Sequence, residues 1–258
     1  MDRRALTADE LETMLSKQQD FEDVSFAGGL VLDGRNFTER SFRNCLFEAP
    51  SLRDVDFTAA RFKDCTFAPA RFAKCTFNEA RLENCSFYTT ERKEGCAFAF
   101  CDMRTLELVR CNFSSAIFER CDLYCLNAKD CNFRSSKFPH TGFSRALSRK
   151  VVITSAKFES CNLSFADLSG LSLRTCEFPS CKFSETLFFD SDCSDAVFTN
   201  AIIDRAEWER ANLKGADLRA ATVSGLNLAL LQDYAGLTIS ASQQDALLSE
   251  LGIKVWPG

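Results

Sequence analysis

Stepping by fives from Phe98 to Leu228 lands on 27 positions, and all but Ser148 are apolar. With 46% apolar residues overall, chance would fill about 12 of them. The residue two places before each centre is mostly small, as in Cys96, Cys101, Cys111, Ala116, Cys121, Ala196, Ala201, Ala206, Ala211 and Ala216. An earlier block repeats the pattern from Phe37 to Phe87, with Ala and Cys alternating in the small slot along ARFKDCTFAPARFAKCTFNEARLENCSF. Few folds tolerate such a grid over most of a chain, and internal repeats of this kind decide the architecture before any local propensity does.

Apolar residues therefore recur at gaps of two, three, two, three. A gap of two keeps both side chains on one face of a strand, whereas a gap of three does not, so the third residue is spent turning. One five-residue unit then supplies one short side and one corner, and four units close a coil of about 20 residues whose apolar positions all point inward. Stacked coils hydrogen-bond as parallel strands about 4.8 Å apart. The other three positions of each unit are mainly Arg, Asp, Glu, Lys, Ser, Asn and Thr, which face water.

Units such as Ala211-Asn212-Leu213-Lys214-Gly215 and Ala216-Asp217-Leu218-Arg219-Ala220 match the pattern A(D/N)LXX. On these residues the span 21–230 resembles the pentapeptide-repeat family. The resemblance implies an all-β fold, a right-handed quadrilateral parallel β-helix with short N- and C-terminal helical caps. About forty units predict about ten coils and a rod roughly 48 Å long.

The open ends of a solenoid need covering. Residues 1–20 hold a Thr7/Glu10 capping box ahead of Leu11, Met14 and Leu15, which predicts a helical lid. In residues 231–258, Ser242 with Asp245 marks a helix start and Gly252 a stop. Leu247, Leu248, Leu251, Ile253, Val255 and Trp256 leave more apolar surface there than a short tail should keep wet, which predicts a dimer interface.

Within 21–230 the register slips by one residue between Val31 and Phe37 and again between Phe87 and Phe98. Around the second slip lies the polar loop 88–95, whose candidate partner-binding residues are Tyr88, Thr89, Thr90, Glu91, Arg92, Lys93 and Glu94. A further interruption, 144–150, keeps phase but puts Ser148 on the grid, and adds Arg145, Arg149 and Lys150 as candidates. Loops on a rigid scaffold are where recognition concentrates.

The 14 cysteines and single histidine do not spell a catalytic or zinc site. Most cysteines sit in the small inward slot, no CxxC pair occurs, and one histidine cannot complete a zinc site with them. Cys125 falls outside both inward slots and is the thiol expected to be exposed, and His140 takes an outward position. No glycine-rich phosphate loop appears, and no cofactor is called for. The expectation is a protein that is not an enzyme.

Charge is uneven along the chain. The net is −3 over residues 1–87, +4 over 88–150 and −6 over 151–258, for a total of −5. Glu185, Asp190, Asp192, Asp195 and Asp204 form a stretch without a base between Lys182 and Arg205, a candidate acidic face. The acidic total opposes direct nucleic-acid binding, and the outer faces lack aromatic stacking platforms. No apolar run of about 18 residues predicts a membrane span, and no export signal is recognised ahead of so many thiols, so the expected compartment is the cytoplasm.

In the family's quinolone-resistance and toxin-immunity branches, the resemblance implies protection of DNA gyrase or topoisomerase IV by an end-to-end dimer that imitates gripped DNA or displaces the poison. Duplex of that length would carry about 28 charges, so only local imitation is compatible with a net −5. The competing expectation is a general interaction scaffold with no topoisomerase link.

Overall fold

A computed structural model describes residues 3–27, 29–68, 70–148 and 151–256. The chain winds as a parallel β-helix whose coils are joined by four ladders. The first ladder climbs from Phe21 through Phe42, Phe62, Leu82, Leu108 and Ala128 to Phe158, then by single bridges from Lys157 through Glu177, Val197 and Asp217 to Thr238. The second carries Phe26, Phe47 and Phe67 and continues from Thr66 through Ser86, Asn112, Asn132, Asn162, Lys182 and Ile202 to Thr222. The third passes Leu52, Phe72, Phe98 and Phe118, then Lys137, Asp167, Leu187 and Glu207. The fourth runs from Asn36 through Asp56, Thr76, Asp102 and Asp122 to Gly142, and resumes from Ser172 to Asp233.

The corners explain the repeat's polar letters. An Asp or Asn at the ladder position turns its side-chain oxygen onto the amide two residues on, as Asp56 does to Thr58 at 2.9 Å and Asn212 to Lys214 at 3.0 Å. This local bond sets the turn that an extended strand would otherwise refuse. The next residue then takes a left-handed conformation, with φ of 55° at Ala59, 55° at Phe100 and 59° at Ala220. That costs an L-residue roughly 1 kcal/mol, offset because its amide reaches the next coil, as Ala59 N does to Asn78 O at 2.8 Å.

Inside, like residues stack on like. Phe26, Phe47, Phe67, Phe87 and Phe113 form one column with centroids 4.3–4.5 Å apart, and Phe133 extends it at 5.3 Å. Rings of neighbouring columns meet edge to face, as Phe57 and Phe62 do at 72°. A phenolic hydroxyl would find few partners in so dry a lumen, which accounts for 25 Phe against 3 Tyr. The small slot lies where two walls meet. A thiol there donates to the carbonyl of the preceding coil, as Cys65 does to Phe42 O at 3.4 Å, and Thr186 replaces it with the same bond to Leu163 O at 2.8 Å. Register stacks Cys45, Cys65, Cys85, Cys111, Cys131, Cys161 and Cys181 in one column and Cys75, Cys101 and Cys121 in another. Cys125 is half-buried, and the other 13 cysteines are buried.

Two details differ from the sequence expectation. Val31 is 69% exposed while Leu32 is buried, so the first slip falls between Phe26 and Leu32 instead of after Val31; one of two adjacent apolar residues must face out, and the in-phase one is Leu32. The second interruption is also longer than 144–150. It is a hairpin with arms Ser144–Ala146 and Val152–Thr154, and it adds ten residues to a coil, since Ala128 pairs with Phe158 where an uninterrupted rung such as Phe42–Phe62 advances by 20.

Helix α1, Ala8–Ser16, packs Leu11 into the core, and Thr7 and Glu10 form its reciprocal capping box. Arg4–Ala5 adds a rung to the second ladder. At the other end, helix α2, Gln244–Glu250, is preceded by a short 3-10 turn whose capping box is Ser240 with Gln243, not Ser242 with Asp245. Gln243 accounts for the shift, because its amide donates to Leu218 O and Ala221 O at 2.7 Å each and stitches the turn onto the last coil. Gly252, at φ 75°, ends α2, with Ile253 N reaching Leu248 O at 2.9 Å.

Candidate functional site

Two hairpins leave the wall at different corners. The first, Tyr88–Thr89 against Glu94–Gly95, departs between the second and third ladders; the other departs between the fourth and first, half a turn away in winding order. They lie about 12 Å apart along the axis at about 4.8 Å per coil.

In the first hairpin Tyr88 and Thr89 are half-buried, while Thr90, Glu91, Arg92, Lys93 and Glu94 are exposed. The Thr89 hydroxyl donates to the Glu91 carboxylate at 2.5 Å and holds that acid below its usual range. Gly95 presses on the adjoining coil so closely that a methyl there would lie 2.4 Å from Ser114 O and 2.6 Å from Ala116 N. Gly95→Ala is therefore expected to lift the hairpin and lower stability by about 1–3 kcal/mol, read by urea unfolding with the far-ultraviolet spectrum unchanged.

In the second hairpin Arg145 is exposed, and Arg149 and Lys150 lie outside the described residues. Its base is closed by Ser155 N to Phe143 O at 2.9 Å and braced by Cys125 N to Ser155 O at 2.7 Å. Its crest carries Leu147, 61% exposed, with Val151 and Val152. The charge-based expectation overlooked these three. A β-branched run at 151–153 was the available signal, masked because ten residues equal two repeat units.

The five acidic candidates do not make one face. Glu185 and Asp204 follow the second ladder, Asp190 the third, and Asp192 and Asp195 belong to the fourth. Residues consecutive in sequence occupy successive walls, and several of these acids meet bases on a neighbouring coil or next in sequence. Arg210 grips Asp190 with both carboxylate oxygens at 2.6 and 2.8 Å, Arg205 lies 3.0 Å from Glu185 and 3.6 Å from Asp204, and Arg174 lies 3.9 Å from Asp192. The acid-rich wall is instead the fourth ladder. Its ladder positions and the outward residues two and three places after each carry Glu39, Asp56, Glu79, Asp102, Asp122, Asp192, Asp195 and Asp233 against Arg104, Arg145, Arg174 and Lys214.

The Arg210 guanidinium holds Asp190 below the usual carboxylate range, as Arg219 does Asp217 and Lys129 does Glu159. Depressed folded values mean stability that is present above the unfolded values of 3.8 for Asp and 4.5 for Glu, and lost as pH falls through the lower folded ones. The melting temperature is accordingly expected to be flat from about pH 7 to 5 and to fall below about pH 4.5, as a pH series of thermal melts reads.

At the C-terminus Leu247 is buried in the chain's own core and is withdrawn from the candidate dimer set, because α2 turns it onto the last coil. Leu248 is half-buried. Leu251, Ile253, Val255 and Trp256 are exposed, Trp256 by 89%. No cluster of three or more His, Cys, Asp or Glu poised for a metal occurs among the described residues. No helix among them is long and apolar enough to cross a membrane.

Profiles of pentapeptide repeats match residues 42–91, 154–190 and 191–228. Among solved structures, full-length QnrB1, a plasmid-mediated fluoroquinolone resistance protein, aligns over 86% of this chain and 97% of its own, with 22% identity and a TM-score of 0.56. A trypsin-treated variant of QnrB1 covers 93% of this chain and 100% of its own, with 20% identity and a TM-score of 0.55. These likenesses carry the fold, a right-handed β-helix. No curated protein sequence matches the chain.

Proposed function

Since the chain belongs to the pentapeptide-repeat family, we propose that it is a non-enzymatic, cytoplasmic protein-binding rod, four-sided and lidded at both ends, that protects DNA gyrase or topoisomerase IV from a quinolone or a topoisomerase-poisoning toxin. The observation that carries this reading is the pair of hairpins projecting from separate corners of a wall whose lumen is packed with Phe, Leu, Cys and Ala. Such a protein acts by the shape and charge of its exterior. The fold likeness to a fluoroquinolone resistance protein supports the same assignment.

The fourth ladder, with eight carboxylates against four bases, is the wall on which local imitation of DNA is best placed. Eight charges fall far below the roughly 28 of duplex of this length, so the hairpins supply most of the recognition. Exposed Leu251, Ile253, Val255 and Trp256 would pair two copies end to end, a dimer that light scattering at micromolar concentration would detect. A supercoiling assay of gyrase with a fluoroquinolone tests the function: saturating protein should restore supercoiling or itself inhibit the enzyme, and neither effect would refute it.

A general scaffold role is the second reading, favoured by the apolar crest Leu147, Val151 and Val152. Such a crest fits a hydrophobic pocket on any protein. A pull-down that retains a partner but no topoisomerase subunit would establish it.

A further inference from the structure

The thiol column from Cys45 to Cys181 takes no part in the proposed binding mode. Its seven sulfurs are buried, free and one coil apart, hence about 4.8 Å from one to the next. The thiols donate to main-chain carbonyls of the preceding coil, as Cys65 does to Phe42 O and Cys111 to Leu82 O at 3.4 Å each. Cys111 N also donates to Cys131 Sγ at 3.3 Å. Other repeats fill this slot with Ala, including Ala201 and Ala221 of the same column, so packing alone does not require sulfur.

Among the described residues no three ligands converge on one point, which excludes the four-coordinate zinc arrangement. A single soft ion between two thiolates is a different case. A metal–sulfur bond of about 2.3 Å, as zinc makes, gives an S–M–S span of about 4.6 Å, close to the coil spacing of about 4.8 Å. Soft thiolates select soft cations. A divalent ion replaces two protons and leaves a neutral unit in the dry wall, whereas a monovalent one leaves a buried negative charge that must be desolvated.

We propose that the column is a binding array for soft, two-coordinate divalent cations of the mercuric type, each bridging thiols of successive coils. In each bridge two S–H bonds break, two S–M bonds form and two protons pass to buffer, with no change of oxidation state. The shorter column of Cys75, Cys101 and Cys121 offers one further bridge. Burial pushes the isolated thiols Cys96 and Cys176 up to about 12, because the dry wall disfavours a lone thiolate; binding, which exchanges thiol protons for the ion, is read directly as acid release.

Mercuric chloride titrated into the reduced full-length protein should bind to about four equivalents, three in the long column and one in the short, with about two protons released per ion and a rise in melting temperature. The triple variant Cys65→Ala, Cys111→Ala, Cys161→Ala leaves four thiols in the long column with no adjacent pair. It should fall to about one equivalent and lose most of the thermal shift. Cys101→Ala alone should fall from about four to about three and serves if the triple variant does not fold. One proton per ion, uptake unchanged in either variant, or loss of the β spectrum on titration would overturn the proposal.

Discussion

Phe67→Ala is expected to lower unfolding free energy by about 3–5 kcal/mol. Phe67 is fully buried and stacked between Phe47 at 4.5 Å and Phe87 at 4.3 Å, with Phe72 edge-on at 5.8 Å. Most large-to-small changes are softened by collapse of the surroundings. Here the backbone rungs above and below are fixed by ladder bonds, such as Phe67 N to Ser86 O at 2.8 Å, so the cavity persists. For a chain this long each kcal/mol shifts the melting temperature by about 2–4 °C, which predicts a fall of roughly 10 °C. Phe67→Leu should cost less than about 1.5 kcal/mol, since Leu163 occupies the same column. Equal losses in the two variants, by thermal or urea unfolding, would show that the column does not stack as described.

Excising either hairpin is expected to abolish topoisomerase protection while leaving the coils folded. The repeat itself dictates the cuts. Removing residues 89–94 brings Phe87 and Phe98 to five-residue spacing, and removing 145–154 does the same for Phe143 and Phe158. Each deletion rejoins the strand ends that already meet, at Cys96 N to Phe87 O, 2.9 Å, and at Ser155 N to Phe143 O, 2.9 Å. The β spectrum should be retained and the relief of quinolone inhibition lost at saturating protein. Full protection by both deletion variants would transfer recognition to the fourth ladder or the C-terminal end.

Most of the wall was legible because its lumen admits few residue types. Phe, Leu, Cys and Ala recur there for want of polar partners, and the capping box at Thr7 and Glu10 is a local signal that needs no tertiary context. What escaped was whatever depends on neighbours one coil away. Glu185, Asp190 and Asp195 look contiguous but sit at successive corners, whereas Asp102 and Asp122 look remote but pair across a bridge. The second hairpin hid behind arithmetic, a ten-residue addition leaving the grid undisturbed. Amphipathic spacing cannot say which chain covers Leu247, and of the adjacent apolar residues Val31 and Leu32 the sequence does not announce which one turns inward.

The closed base of each hairpin has a practical corollary. With the strand ends pinned at a corner by a main-chain bond, the wall is blind to the length of what protrudes between them, whether six residues or ten. Such a corner behaves as a socket. Foreign peptides grafted between Ser144 and Ser155 should be displayed without refolding of the cylinder beneath them, making the rod an adapter whose cargo can be exchanged independently of its frame.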